Sequence, residues 1–126
     1  MTSQTIKVEK DFDIILARSR VRDLARDIGM STTDQARISL ATSAAARAIG
    51  LGARHKGEIL VESLDGVDGT GIRVVCQVND SAQQDLATNK LNDARMMTDE
   101  LTIERSSTND ILLTMVKRAK KRGDRG

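Results

Sequence analysis

The sequence predicts an α+β fold in which helices cover one face of a mixed or antiparallel β-sheet. Three observations lead to this prediction. Helical and strand-like patterns follow one another in the order β-α-α-β-β-α-β-β, strand-like segments of the second half are joined in pairs by turn residues, and 126 residues suit one domain. Since Phe12 is the only aromatic residue, aliphatic side chains and five methionines must form the core.

The first part of the chain predicts a short strand and a long helix. Residues 5–8 alternate in the manner of a strand, and Asp11 or Asp13 can cap a helix that extends to about Ile28. Gly29 is expected to end this helix. Its apolar side chains recur at helical spacing and form one continuous stripe: Ile14, Ala17, Val21, Leu24 and Ile28.

A second predicted helix begins at Ser31 and ends near Gly50–Gly52. Ser31 is a typical N-cap residue, and Asp34 follows three positions later in a spacing similar to a capping box. Alanine dominates the middle of this helix, which raises its helix propensity and allows close packing against a sheet or another helix. The alanines are Ala41, Ala44, Ala45, Ala46 and Ala48.

Two hairpins and a third helix are predicted for the second half. Residues 57–64 and 71–78 alternate as strands on either side of Asp-Gly turn signals. A helix is expected over about 84–98, and residues 99–105 and 109–117 form the second predicted hairpin. In the strand predicted over residues 71–78, four side chains are expected to share one face: Ile72, Val74, Cys76 and Val78.

Composition argues against several classes of function. The formal charge of +2 implies no partner by itself, and the absence of Trp and Tyr argues against a base-stacking platform. Cys76 and His55 are each single, so no disulfide framework and no metal-ligand spacing is present. A Cys76–His55 nucleophile pair lacks an orienting third group, and Cys76 is expected to be a core residue. Without a signal peptide or a long apolar span, the expected location is the cytoplasm.

The C-terminal end is strongly basic. Residues 117–126 carry six basic side chains and one acidic side chain, which suits an acidic protein, RNA or a membrane surface as a partner. The other interpretation is a solvated tail that aids solubility. We predict a single domain over residues 1–118, followed by a disordered basic tail over residues 119–126.

A block of residues in the first two predicted helices carries a family resemblance. The matching residues are Val21, Arg22, Leu24, Ala25, Gly29, Ser31, Asp34, Gln35, Arg37, Ile38, Ala41, Ser43, Ala46 and Arg47. Here the chain resembles the bacterial anti-sigma and switch-protein serine kinases, small members of the histidine-kinase-like (GHKL) ATPase superfamily. The element order continues as in that family to about residue 118. The resemblance implies a two-layer α/β sandwich of the Bergerat type, with the helices on one face of a mixed sheet.

Alanine occupies both catalytic positions that the resemblance implies. The family's second helix carries a Glu-x-x-x-Asn pair, in which the Glu is the base for the attacking hydroxyl and the Asn holds the Mg²⁺ that bridges the phosphates. A spacing of four places both on one helix face. In this sequence the two positions fall on Ala44 and Ala48. Because alanine can neither accept a proton nor coordinate a cation, both functions are expected to be lost.

The nucleotide-binding positions also depart from the family. The Asp of its Asp-x-Gly-x-Gly box pairs with adenine and falls on Val78, while a shift of two residues would make Asp80 a residual adenine contact. An ordinary polar turn residue is the other interpretation of Asp80. The box glycines fall on Asp80 and Ala82, or on Ala82 and Gln84 after the shift. No glycine occurs from residue 72 to residue 122, so the backbone cradle for the phosphates is missing.

The leading hypothesis is a pseudokinase without cofactor or metal. The resemblance implies a binding module that holds or titrates a protein partner, such as a sigma factor, an antagonist or a switch protein, without phosphorylating it. Arginine suits interface hydrogen bonding. The candidate partner-binding residues are Arg18, Arg22, Arg26, Arg37 and Arg47. The other interpretation of these arginines is a solvated helix face with intrahelical ion pairs. Homodimerisation through the alanine-rich helix or a sheet edge is compatible with this function.

Two other functions stay open at this point. An ATP-binding serine/threonine kinase with aberrant motifs would need Asp80 for adenine and another acid, such as Asp85, for Mg²⁺. A nucleic-acid-binding domain would use the basic tail for salt-sensitive phosphate contacts. The sequence offers neither a recognition-helix pattern nor an aromatic platform for specific binding of nucleic acid.

Overall fold

The computed structural model describes residues 2–66, 69–79 and 86–119. Over these residues it confirms the predicted order of strands and helices. The elements are β1 (Ser3–Val8), α1 (Asp11–Asp27), α2 (Thr32–Ala48), β2 (Gly57–Gly66), β3 (Gly69–Val78), α3 (Thr88–Met96), β4 (Glu100–Arg105) and β5 (Ile111–Arg118). The fold is α+β, and the five strands form one sheet in the order β1-β2-β3-β5-β4.

Neighbouring strands of this sheet are antiparallel throughout, so the expectation of a mixed sheet is wrong. The reason lies in the connections. Two helices separate β1 from β2, and the chain therefore returns in the opposite direction. A single helix connects β3 to β4, which gives these strands the same direction, but β5 lies between them and pairs with both.

Helix α1 begins one residue after Lys10 and buries the predicted apolar stripe, with Ile28 half-buried at its end. The carboxylate of Asp13 accepts hydrogen bonds from the backbone N–H groups of Glu9 and Lys10 at 2.9 and 3.2 Å. These two bonds lower the pKa of Asp13 from its ordinary value of 3.8. Asp13 thus satisfies N–H groups at the start of the helix, as an acidic residue in a first turn is expected to do.

Helix α2 packs antiparallel to α1. Ser31 caps it as predicted, since its hydroxyl accepts the backbone N–H of Asp34 at 3.1 Å. The Ser39 hydroxyl donates to the carbonyl of Arg18, near the middle of both helices. At the other end an Arg47 nitrogen lies 3.7 Å from a carboxylate oxygen of Asp11. The five alanines predicted for the middle of α2 are all buried, as close packing of this helix requires.

The core lies between the helices and one face of the sheet. The predicted shared face of β3 is confirmed, because four alternate side chains of this strand are fully buried: Ile72, Val74, Cys76 and Val78. The register places Ile59 of β2 and Leu113 of β5 on either side of Cys76, and both are fully buried. On the opposite face Arg73 and Gln77 remain partly exposed. This alternation is that of a sheet covered on one side.

Helix α3 is shorter than the predicted 84–98, and residues 80–85 lie outside the described part of the chain. It begins at Thr88 because Ala87 has an extended backbone and donates its N–H to the carbonyl of Ala48 at 2.9 Å. The segment that leads into α3 is therefore attached to the last residue of α2. The helix then leads through Thr98 into β4.

Candidate functional site

A groove between α2 and α3 contains one of the two predicted degenerate positions. Its volume is about 400 Å³, within the range of small-ligand sites. Helix α2 contributes one wall and α3 the other. The lining residues are Leu40, Ser43, Ala44, Arg47, Lys90, Asp93, Met96 and Met97. We call this feature the α2–α3 groove.

The second degenerate position, Ala48, does not line the groove. Its side chain is fully buried, and its carbonyl accepts the N–H of Ala87. Leu86 and Leu91 pack against the core on the same side of the chain. The segment before α3 is therefore attached to the residue at which the resembling kinases place their Mg²⁺-holding Asn, and the side chain of this residue is not accessible to solvent.

The predicted adenine position is also closed. Val78 is the last residue of β3, and its register neighbours are Gly57 of β2 and Ile111 of β5. Val78 is fully buried and belongs to the core cluster. The valine side chain has no group that could form a hydrogen bond with adenine, and it does not reach solvent. Asp80, the alternative adenine contact, lies outside the described residues, as do Ala82, Gln84 and Asp85.

Both apolar and charged side chains line the α2–α3 groove. Met96 is 85% exposed and Leu40 is 47% exposed, and Met97 is half-buried beside them. Arg47, Lys90 and Asp93 supply the charges. The groove was not predicted from the sequence. Two patterns could have indicated it, a Met-Met pair at the end of α3 and a leucine on the otherwise polar side of α2.

The five candidate arginines do not form one cluster. Arg18, Arg22 and Arg26 follow at intervals of four along α1 and therefore share a side of that helix. Arg37 lies in the second turn of α2, and Arg47 in its last turn. The five arginines therefore lie on two helices and stay candidates for a partner contact.

Ion pairs occupy three of these arginines. Nitrogens of Arg26, Arg37 and Arg47 lie 3.0, 3.7 and 3.7 Å from carboxylate oxygens of Asp23, Asp34 and Asp11. The Arg26–Asp23 pair is intrahelical, as the solvated-face interpretation predicted. The Nε of Arg18 is buried without a hydrogen-bond partner among the described residues, and the side chain of Arg22 is exposed.

Two cations of the predicted basic tail belong to the sheet. Lys117 is mostly buried at the end of β5, and its Nζ lies 3.7 Å from Asp34 and 4.0 Å from Asp99. The Arg118 side chain donates to Glu100 at 2.8 Å. These ion pairs join β5 to α2 and β4, so the two cations are less available to a nucleic acid. Residues 120–126 lie outside the described part of the chain.

The lone cysteine is a core residue, as predicted. Burial raises the pKa of the Cys76 thiol to about 12, so the nucleophilic thiolate is not formed at neutral pH. His55 lies in the loop between α2 and β2. Within residues 2–66, 69–79 and 86–119, no group of three or more His, Cys, Asp or Glu side chains could hold a metal ion. None of the helices in those ranges has the length and apolar character needed to cross a membrane.

Comparison with known proteins gives one relevant similarity. The serine/threonine-protein kinase RsbT of Bacillus subtilis (strain 168) is 35% identical to this chain over 72 residues. That match covers 57% of this chain and 53% of the kinase, so the chain spans about half of the kinase's length. It supports a relation to the anti-sigma and partner-switching kinases. No protein-family model matches the chain.

Proposed function

We propose that this chain is a non-catalytic relative of the partner-switching kinases, a module that binds a protein partner and does not phosphorylate it. The observation that carries the proposal is the burial of Ala48 and Val78. At these positions the resembling kinases place the Asn that holds Mg²⁺ and the Asp that pairs with adenine. Nucleotide binding of the family type would need both positions open to the ligand and polar.

The contacts around Ala48 support this proposal. A nucleotide with Mg²⁺ would have to displace Ala87 and break its hydrogen bond to the Ala48 carbonyl. The carbonyl of the buried Ala48 would then need a new partner, because buried unpaired backbone groups are costly. Opening the segment would also expose Leu86 and Leu91, which pack against the core. No interaction with the Ala48 side chain would offset this cost, since a methyl group does not coordinate a cation.

Ala44 removes the chemical step itself. It lies on the wall of the α2–α3 groove, the place from which a catalytic carboxylate could reach a bound hydroxyl. Among the described residues, the only lining carboxylate is that of Asp93, on the opposite wall and at a position without support from the family pattern. General-base catalysis requires a group within hydrogen-bond reach of the proton that it removes. Without a nucleotide-dependent step, the protein is expected to hold one conformational state.

The partner that we propose is a sigma factor, an antagonist or a switch protein, and the site of action is the cytoplasm. Of the candidate arginines, Arg22 fits a partner contact best, because it is exposed and no ion pair is observed for it among the described residues. Arg20 lies on the same helix and is exposed too, so it offers a matched control. Loss of partner binding in R22E but not in R20E would support the arginine contact.

Nucleotide binding is the direct test of the proposed function. The thermal stability of the protein is measured with ATP or ADP and Mg²⁺ in large excess, beside an active serine/threonine kinase as the positive control. A ligand at a hundredfold excess over its Kd would raise stability by about 2.7 kcal/mol. We expect no shift for this chain and no transfer of labelled phosphate from ATP to protein.

A Mg²⁺-dependent shift would overturn the proposal in favour of an ATP-binding kinase with aberrant motifs. In that case D80N is the first variant to make, because Asp80 is the remaining candidate for an adenine contact. Loss of the shift in D80N would then assign that contact.

A further inference from the structure

Large apolar side chains are exposed on the helices and not on the strands. Among the described residues, the exposed large hydrophobic side chains are Phe12, Ile15, Leu16, Leu40 and Met96. The first three lie on α1, whereas Leu40 and Met96 face each other across the α2–α3 groove. An apolar patch bounded by charges is typical of a protein interaction site.

The shape of the groove suits a helix. The lining residues of α2 recur at 40, 43, 44 and 47, and those of α3 at 90, 93, 96 and 97. Each wall is thus one face of a helix, about two turns or 10 Å long. Ser43 and Ala44 are small, and they leave room between the walls. A partner helix inserts side chains at the same i, i+3, i+4 and i+7 spacing into such a groove.

The charges of the groove are separated from its apolar end. Ala87, just before α3, bonds to Ala48 at the end of α2, so the start of α3 lies near the end of α2. Lys90 and Arg47 therefore lie at one end of the groove. Leu40 and the two methionines lie at the other end. Asp93, between them on α3, disfavours an acidic side chain at the middle of the groove.

We propose that the α2–α3 groove binds an amphipathic helix of a protein partner, with its apolar side chains against Leu40, Met96 and Met97 and its carboxylates against Arg47 and Lys90. The inference rests on the proposed function as a binding module and names the surface and the partner chemistry. Methionine suits this role because its flexible side chain adapts to the shape of the partner. No ion pair is observed for Lys90 among the described residues, and the Arg47–Asp11 pair is partly exposed, so a partner carboxylate can take the place of Asp11. The two cations then select acidic partners through charge complementarity.

The probe is a designed amphipathic peptide of about 18 residues, with Leu at i, i+3, i+4 and i+7 and Glu at the end that meets Arg47 and Lys90. One control peptide has Lys at the Glu positions, and another has the same composition with its Leu positions scrambled. Methionine methyl groups are labelled with ¹³C. Met96 and Met97 report on the groove, whereas Met30 and Met115 are buried and serve as internal references.

We expect the acidic peptide to shift the Met96 and Met97 signals and to leave Met30 and Met115 unchanged. Its affinity should exceed that of either control peptide by about tenfold or more. L40E should weaken binding by a similar factor. L16E is the matched control, because Leu16 has a similar exposure of 40% and does not line the groove. K90E should reverse the preference between the acidic and basic peptides, and R20E should not.

Several results would overturn the inference. Equal effects of L40E and L16E would indicate non-specific apolar association. A concentration-dependent dimer that L40E abolishes would show that a second copy of this chain occupies the groove. Shifts of Met96 and Met97 by ATP, with competition between ATP and peptide, would assign the groove to a nucleotide and would also overturn the proposed function. If none of the peptides binds and no nucleotide binds either, the proposed docking site is refuted, while the proposed function stands.

Discussion

Substitution of Ala48 by the asparagine of the resembling kinases, A48N, tests whether this position can accept a larger polar side chain. Ala48 is fully buried, and its carbonyl accepts the N–H of Ala87. A larger side chain there costs about 1–3 kcal/mol in overpacking. A buried carboxamide without partners adds about 1–3 kcal/mol. We therefore expect A48N to lower the free energy of unfolding by about 2–6 kcal/mol, a large part of the stability of a domain of this size.

The matched control is A44E, which restores the family's acid at the groove. Ala44 lies on the groove wall, so a longer side chain can extend into solvent between the helices. Glu lowers helix propensity only slightly relative to Ala, and Arg47 lies three residues further along the helix. The expected loss of stability is therefore within about 1 kcal/mol. The expected costs differ because Ala44 lines the groove, whereas Ala48 is fully buried and does not line it.

Urea unfolding followed by far-UV circular dichroism measures both variants, since the chain has no Trp or Tyr for fluorescence. With a slope of about 2 kcal/mol per M, A48N should lower the urea midpoint by roughly 1–3 M. Addition of ATP and Mg²⁺ should not restore the lost stability, either in A48N or in the double variant with A44E. If A48N is as stable as the parent and gains stability from Mg²⁺–ATP, the position is open and our account of the site is wrong.

Four further predictions follow from individual contacts. D13A should destabilise α1 at neutral pH. Because hydrogen bonds lower the pKa of Asp13 below 3.8, its contribution should disappear as the pH falls through that lower value, so parent and variant melts converge in acid. S31A should cost about 1 kcal/mol in urea unfolding, and S31D should retain most of the stability. D34A should cost about 1–3 kcal/mol, because it removes an ion-pair partner of the mostly buried Lys117, and a cost near zero would contradict the structural role of that pair. Cys76 should resist thiol reagents in the native protein and react at once in denaturant, since burial raises its pKa to about 12.

Local patterns predicted much of the fold. The Ser31 cap, the apolar stripe of α1 and the two hairpins depend on signals within a short stretch of sequence, and all are observed. Burial of alternate residues in β3 likewise follows from one strand and one covered face. Short-range hydrogen bonding and periodicity decide these features, so a single sequence contains them.

Long-range pairing was not predictable in the same way. The antiparallel order of the sheet depends on β5 lying between β3 and β4, and no local signal specifies which strand takes that place. The start of α3 depends on the bond from Ala87 to Ala48, across almost 40 residues of chain. The groove has the same origin, because its walls lie about 50 residues apart in the sequence. The sequence shows Leu40 and Met96 as apolar residues in helical segments, but it does not show that they lie near each other.

The two alanines at the positions that the resemblance assigns to a catalytic pair differ in their surroundings, and the difference connects the proposed function with the proposed docking site. At Ala48 the side chain is fully buried and the carbonyl accepts the N–H of Ala87, so no side-chain group is available there for a metal. At Ala44 the small side chain leaves the groove open and its floor uncharged. A carboxylate at this position, together with Asp93, would repel the acidic helix that Arg47 and Lys90 are proposed to attract. A groove suited to an acidic partner and a catalytic Glu at position 44 are therefore incompatible, and A44E should weaken the acidic peptide even though it leaves the fold intact.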